Sequence, residues 1–398
     1  MLTRRDFLKG SSLVALAPSV PAFLAQTAHA AESAKDDRLL VVIQLDGGND
    51  GINTVVPYAD EGYARSRRKL RIATDQLIKI NDQVGLHPSL RDAAQLLESG
   101  RLAIVQGVGY PNPNRSHDVS MAIWQTARFD REDHMGYGWI GRALDDVQRP
   151  AAGAPDSILL GNENLPAALR GRKSITSALA HLDDLVLTDS SVAPPSIGRD
   201  ATGNDLTAFV RRSALDAYTT AERFKDVAHA AGNDGQYPST KLADRLRLIA
   251  RLIKANFGTR VYYAIQSGYD THYLQLPAHA DLLRELCGAL KAFLDNLASS
   301  SVADRVLVLC FSEFGRRVEE NASLGTDHGT AGPVFLAGPD VNAGLHGATP
   351  SLTDLADGDV KMSVDFRHVY ATVLEKWLGI PAKSALSGNS EHLPLFRS

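Results

Sequence analysis

The chain has 398 residues, 44% of them hydrophobic and 22% charged, with a formal net charge of -4. That is ordinary for a soluble globular protein and long enough for one large domain or two smaller ones. The mild acidity gives no basis for a nucleic-acid or anionic-membrane partner, and the two cysteines, Cys287 and Cys310, form no disulfide framework.

The N-terminus reads as an address. Arg4 and Arg5 precede Phe7, Leu8 and Lys9, followed by the apolar stretch SSLVALAPSVPAFLA and the small-x-small triplet Ala28-His29-Ala30. This resembles a twin-arginine export signal spanning residues 1–30 and cleaved after Ala30. It implies a periplasmic or secreted protein handled by the twin-arginine export machinery, which carries folded substrates and so favours a metalloprotein. The short, proline-containing apolar core argues against a permanent membrane anchor.

Leu39 to Gly51, LLVVIQLDGGNDG, organises the remainder, residues 31–398, read as a single domain. Its apolar run predicts a strand buried on both faces, ending at Asp46 in a glycine loop that lets a ligand come close. YADEGYARSRRKLR then carries a basic run, Arg65, Arg67, Arg68 and Lys69, read as a solvated face. LRDAAQLLE predicts a helix and LAIV (102–105) a second strand. That strand opens into QGVGYPNPNRSHD and a helix from Ser116 onward. From about 149 to 235 small residues, Pro and Gly dominate, which predicts a peripheral elaboration with one helix near Leu206–Ala230.

LADRLRLIARLIKA restores helical periodicity, and RVYYAIQSGYDTH reads as a third strand with its terminal loop. A long helix (282–297), a fourth strand VLVLCF leading into SEFGRR, a histidine loop TDHGTAG, a strand 334–336 and a terminal helix complete the pattern. Strands alternating with helices predict a three-layer αβα sandwich with a mainly parallel sheet.

Each strand delivers metal-capable side chains at its carboxyl end: Asp46, then Asp270 and His272, then Glu313, with His328 just beyond. Carboxylates and imidazoles are the ligands of Zn, Mn, Mg and Ca sites. Ser116, a hydroxyl at a helix start, is the candidate nucleophile. Each also has a plain structural reading, as N-cap, turn, ion-pair partner or loop tip. Their recurrence after buried strands is what favours a site. Asn49, His117, His279, Arg316 and Asp327 form a second tier.

LDGGNDG, GYPNPNRSHD…WQTA, GYDTH, SEFGRR, DHGTAG and DFRHVYATVLEKWLG, in this order, resemble the DUF1501 family over roughly Arg38 to Pro381. That family is similar to the alkaline phosphatase-like superfamily of sulfatases, phosphatases and cofactor-independent phosphoglycerate mutases. The resemblance implies an alkaline phosphatase-like sheet with two divalent metals and a Ser or Thr nucleophile at the strand ends. Asp46 then matches a ligand of one metal, Ser116 the nucleophile, Asp270 and His272 ligands of the other metal, and His328 the last histidine ligand. Glu313-Phe314 departs from the superfamily's Asp-His pair, so one imidazole is missing, and the Asp270-to-His272 spacing is tighter than in alkaline phosphatase. One or two ions of Zn, Mn, Ca or Mg fit these residues. SHDVS lacks the Cys/Ser-x-Pro/Ala-x-Arg pattern of formylglycine sulfatases, which points to an unmodified nucleophile.

The expected activity is metal-dependent hydrolysis of a phosphate or sulfate ester on a small molecule or polymer. The alternatives are a non-catalytic binding or scaffold protein that keeps the fold, and an isomerase or transferase using the same covalent intermediate.

Overall fold

A computed structural model describes residues 38–130, 136–147, 154–179, 224, 226–227, 234–388 and 391–397. Residues 1–30, expected from the sequence to be an export signal, lie outside this set. The regular elements, in chain order, begin with β1 (Leu39–Asp46), α1 (Arg91–Glu98), β2 (Leu102–Gly109), α2 (His117–Thr126) and α3 (Trp139–Asp145). They continue with β3 (Ser157–Leu160), β4 (Thr176–Leu179), α4 (Lys241–Lys254), β5 (Val261–Ser267) and α5 (Gln275–Ala298). The chain closes with β6 (Val306–Ser312), β7 (Arg316–Glu320), β8 (Thr326–His328), β9 (Gly332–Ala337), β10 (Gly344–His346), β11 (Val364–Asp365) and α6 (Phe366–Thr372).

The main sheet among the described residues has nine strands in the order β10-β2-β9-β6-β1-β5-β3-β4, with β11 also pairing on β2, and smaller sheets, among them the β7–β8 pair, lie apart from it. β1 lies in parallel register between β5 and β6, so Ile43 sits level with Ala264 and Cys310. Only β9 runs against its neighbours, β2 and β6. Alternation along β1 supplies both faces of the core. Leu39, Val41, Ile43 and Leu45 pack under α1, α4 and α5, whereas Leu40 and Val42 pack under α2, α3 and α6. Each fully buried aliphatic side chain of this kind contributes roughly 1.5–3 kcal/mol. The result is the three-layer sandwich expected from the alternating elements.

Parallel strands put the carboxyl ends of β1, β5 and β6 on one edge, and the loops that follow them meet there. Asp46 is still paired with Ser267 and is the last residue of its strand. The stretch 149–235 supplies β3 and β4, which extend the sheet at one edge. Four-residue strands in a Pro/Gly-rich context carry too little periodicity to be read from sequence. Of the helix expected over Leu206–Ala230, Phe224, Asp226 and Val227 fall in the described set and are helical. Cys287 and Cys310 are buried and unbridged, and burial pushes their thiols up to about 11 and about 12. Among the described residues no helix is long and apolar enough to cross a membrane.

Candidate metal centre

The loop after β1 turns on two glycines in the left-handed half of backbone space, Gly47 at φ +118 and Gly48 at φ +80. A Cβ on Gly47 would stand 2.4 Å from the Asp270 amide nitrogen, and one on Gly48 would stand 2.4 Å from the Phe314 ring. Glycine at both positions is what lets this loop lie against the loops after β5 and β6. The hairpin of β7 and β8 folds back so that His328 pairs with Arg316, which returns a histidine to the same edge. The last contributor is the N-terminus of α2. Ser116 is its N-cap, and His117, one residue later, turns inward.

Asp270 is the hub. Its Oδ1 lies 3.0 Å from His272 Nε2, 3.1 Å from His328 Nε2, 3.4 Å from His117 Nε2 and 2.7 Å from Arg316 Nη2. Burial pushes the Asp270 carboxyl up, but the Arg316 guanidinium and the neighbouring imidazoles outweigh it and hold the group at about 2. Ligand atoms of His117, Asp270 and His328 all lie within 4.8 Å of one another, and His272 Nε2 is 2.8 Å from His328 Nε2. His117 Nε2 is buried without a hydrogen-bond partner. An orphaned imidazole nitrogen facing a carboxylate and further imidazoles is the donor set of a divalent transition metal, so these residues fit one.

The expected ligands thus divide. Asp270, His272 and His328 converge. Glu313 stands behind them: its Oε1 accepts from Gly47 N–H at 2.9 Å and meets His117 Nδ1 at 2.8 Å, and Ser312 Oγ lies 2.9 Å from its Oε2. The Glu313 hydrogen bond pushes the His117 imidazole above its ordinary value. Asp46, at the end of β1, takes a 3.4 Å contact from Gln44 Nε2, and its carboxyl is pushed up by burial and by the Glu313 charge. Ser116 is exposed, and its hydroxyl makes no capping hydrogen bond. Asp327 Oδ1 backs His272 at 3.3 Å. His117, held in reserve by the sequence, is therefore in the centre, and its adjacency to Ser116 was the available signal. Phe314 packs its ring 5.0 Å from that of His117 and 4.9 Å from that of His328.

The other reserve residues serve the foundation. Arg316 is buried and donates to Gly48 O at 2.7 Å, Thr326 O at 2.9 Å and Tyr269 O at 2.9 Å, and also to Gly47 O. It ties three loops together. Asn49 Oδ1 and His279 Nε2 are 3.0 Å apart in a separate buried network, where burial lowers the His279 imidazole to about 4. Beside it Arg67 and Asp50 form an ion pair at 2.6 Å with both side chains 0% exposed. Arg67 therefore departs from the solvated reading of its basic run, whereas Arg65, Arg68 and Lys69 are exposed as expected. The signal for it was Asp50, the second acid of LDGGNDG.

A cleft of about 700 Å³ adjoins the centre, lined by Tyr110, Asn112, Arg115, Phe314, Asp359 and Met362 among others. Phe314 and Arg115 belong to both: the Arg115 carbonyl accepts from His328 Nδ1 at 2.7 Å. The Arg115 guanidinium is engaged with Asp357 and Asp359, and Lys361 with Asp354, so the charges around the cleft are paired.

No curated protein sequence matches this chain. Among solved structures it is similar to a 2-O GAG sulfatase at 10% identity and TM-score 0.39, over 89% of this chain and 73% of that one. It is also similar to a protein in the alkaline phosphatase superfamily from Vibrio parahaemolyticus, at 11% identity and TM-score 0.38, over 82% and 67%. Murine ectonucleotide pyrophosphatase/phosphodiesterase 5 is similar at 10% identity and TM-score 0.42, over 89% and 97%. The family described as "Protein of unknown function (DUF1501)" matches residues 37–390, which include every loop of the centre, and the chain belongs to that family.

Proposed function

We propose that this protein is an exported, metal-dependent hydrolase of phosphate or sulfate esters. The observation that carries the reading is the convergence of three imidazoles on the Asp270 carboxylate at the carboxyl ends of a mainly parallel sheet. The paired Arg4 and Arg5 support twin-arginine export, and the superfamily resemblance supports the reaction class. His117, Asp270, His328 and His272 would hold the cation, which when bound supplies a Lewis acid for the ester's anionic oxygens and for a nearby hydroxyl.

The chain's own residues do the rest. Arg316 fixes the Asp270 carboxylate and, with Gly47 and Gly48, the distance between the first and third loops. Ser116, exposed and free of capping, offers its oxygen to phosphorus or sulfur. A Ser116 ester forms, the substrate's alcohol departs with the serine proton, and water then releases the acid and restores the hydroxyl. The paired charges of the adjoining cleft suit an uncharged alcohol portion of the substrate.

The test is turnover of aryl phosphate and aryl sulfate by the folded, purified protein, beside Ser116→Ala. The variant is expected to lose at least about 1,000-fold in kcat. Its stability should shift by no more than about 0.5 kcal/mol, since the hydroxyl caps nothing. Full activity in the variant removes Ser116 from the mechanism, and metal-independent turnover overturns the reading.

A further inference from the structure

Three imidazoles surround Asp270, and each is held from behind at Nδ1 by an oxygen acceptor. His117 Nδ1 meets Glu313 Oε1 at 2.8 Å, His328 Nδ1 meets the Arg115 carbonyl at 2.7 Å, and His272 Nδ1 meets Asp327 Oδ1 at 3.3 Å. A carbonyl or carboxylate oxygen can only accept, so in the neutral rings Nδ1 carries the proton. All three rings therefore aim an Nε2 lone pair at the same carboxylate. That is the arrangement by which outer oxygen groups set tautomer and direction in histidine-ligated metal centres. Glu313 is engaged away from Asp270, its Oε1 with His117 and the Gly47 amide and its Oε2 facing the Ser312 hydroxyl.

The oxygen-rich half of the site is already taken by a cation. Arg316 sits against the carbonyls of Gly47, Gly48, Tyr269 and Thr326 and against Asp270 Oδ1, between the Asp46 loop and the Asp270 loop. A second divalent ion bridging Asp46 to Asp270 would have to compete with that buried guanidinium for these oxygens, against like-charge repulsion.

We infer that the centre holds a single transition-metal ion on the Nε2 atoms of His117, His328 and His272 and the Asp270 carboxylate, with Glu313 an outer positioning group for His117 and Arg316 restricting the site to one ion. His117 then supplies, from the helix after β2, the imidazole that Phe314 denies the loop after β6. Asp46 lies outside this ligand set. The inference rests on the metal part of the proposed function and not on hydrolysis.

The test is metal binding by the folded full chain, stripped with chelator and reloaded separately with Zn²⁺, Co²⁺ or Ca²⁺. Elemental analysis gives stoichiometry, competition with a chromogenic chelator gives affinity, and Co²⁺ absorption reports the ligands. One equivalent of Zn²⁺ or Co²⁺ per chain is expected, with Ca²⁺ much weaker. Glu313→Gln should keep one equivalent but lose roughly 10–100-fold in affinity. His117→Ala should lose more and change the Co²⁺ spectrum. Should His117→Ala not fold, the Glu313→Gln affinity and the wild-type stoichiometry decide. Two equivalents in the wild type, preference for Ca²⁺, or unchanged affinity in folded His117→Ala or in Glu313→Gln overturns the assignment. One bound ion without turnover of either ester would sink the hydrolase reading and leave this one standing.

Discussion

Arg67→Met is expected to lower the unfolding free energy by about 3–5 kcal/mol, the cost of leaving a buried charge without its partner. Both side chains of the Arg67–Asp50 pair are fully buried, and Arg67 also donates from Nε to Val318 O at 2.7 Å and from Nη2 to Arg317 O at 2.8 Å. Removing the guanidinium strands two carbonyls of the strand that starts with Arg316, as well as the carboxylate. The pH dependence carries the signature. Burial alone would raise the Asp50 carboxyl, but the Arg67 charge outweighs it and holds the group below its ordinary value. In the wild type this stabilisation is present above the unfolded carboxyl pKa and is lost as pH falls through the depressed folded one. In Arg67→Met burial loses its main counterweight and the folded pKa rises. The variant then loses stability as pH climbs from the unfolded value of about 3.9 through the raised one. Urea unfolding at acid and neutral pH should show the gap between the two proteins widening toward neutrality. A constant gap, or one that narrows, would mean that Asp50 stays ionised without Arg67.

Asp270→Asn is expected to abolish metal retention, weakening it by more than about 100-fold, beyond what loss of an outer-shell group costs. Asp270 is 48% exposed but its partner Arg316 is 0% exposed, so the buried guanidinium loses its counter-charge and stability should fall by about 1–3 kcal/mol, less than for the fully buried Arg67–Asp50 pair. The same change removes the only carboxylate partner of Arg316 among the described contacts, although the carbonyls around the guanidinium remain. Metal content and melting temperature measured on one preparation separate the two roles. Retention of stoichiometric metal would show that Asp270 is merely the counter-ion of Arg316.

The fold was legible because its signals are long. β1, β5 and β6 are apolar runs bounded by turn residues, and α4 and α5 keep helical periodicity over their full length. β3 and β4 are too short to register, and the antiparallel sense of β9 is a tertiary choice that no local pattern encodes. At the centre, residues at strand ends could be read because a parallel sheet forces its carboxyl ends together. Asp270, His272 and His328 were found that way. Which atom of a side chain faces the cluster is decided by partners distant in sequence. Glu313, expected as a ligand, meets His117 through a contact across 196 positions. Arg67 looked like one charge in a basic run because its counter-charge, Asp50, sits 17 residues earlier in a glycine loop. The DUF1501 resemblance held over nearly the whole described chain.

Metal binding by the strand-end cluster underlies the proposed chemistry. Anomalous diffraction from crystals of the metal-loaded protein, recorded above the zinc absorption edge, addresses it directly. One anomalous peak is expected, among the Nε2 atoms of His117, His272 and His328 and the Asp270 carboxylate. A metal-replete crystal with no peak there, or with its peak between Asp46 and Glu313, would contradict it.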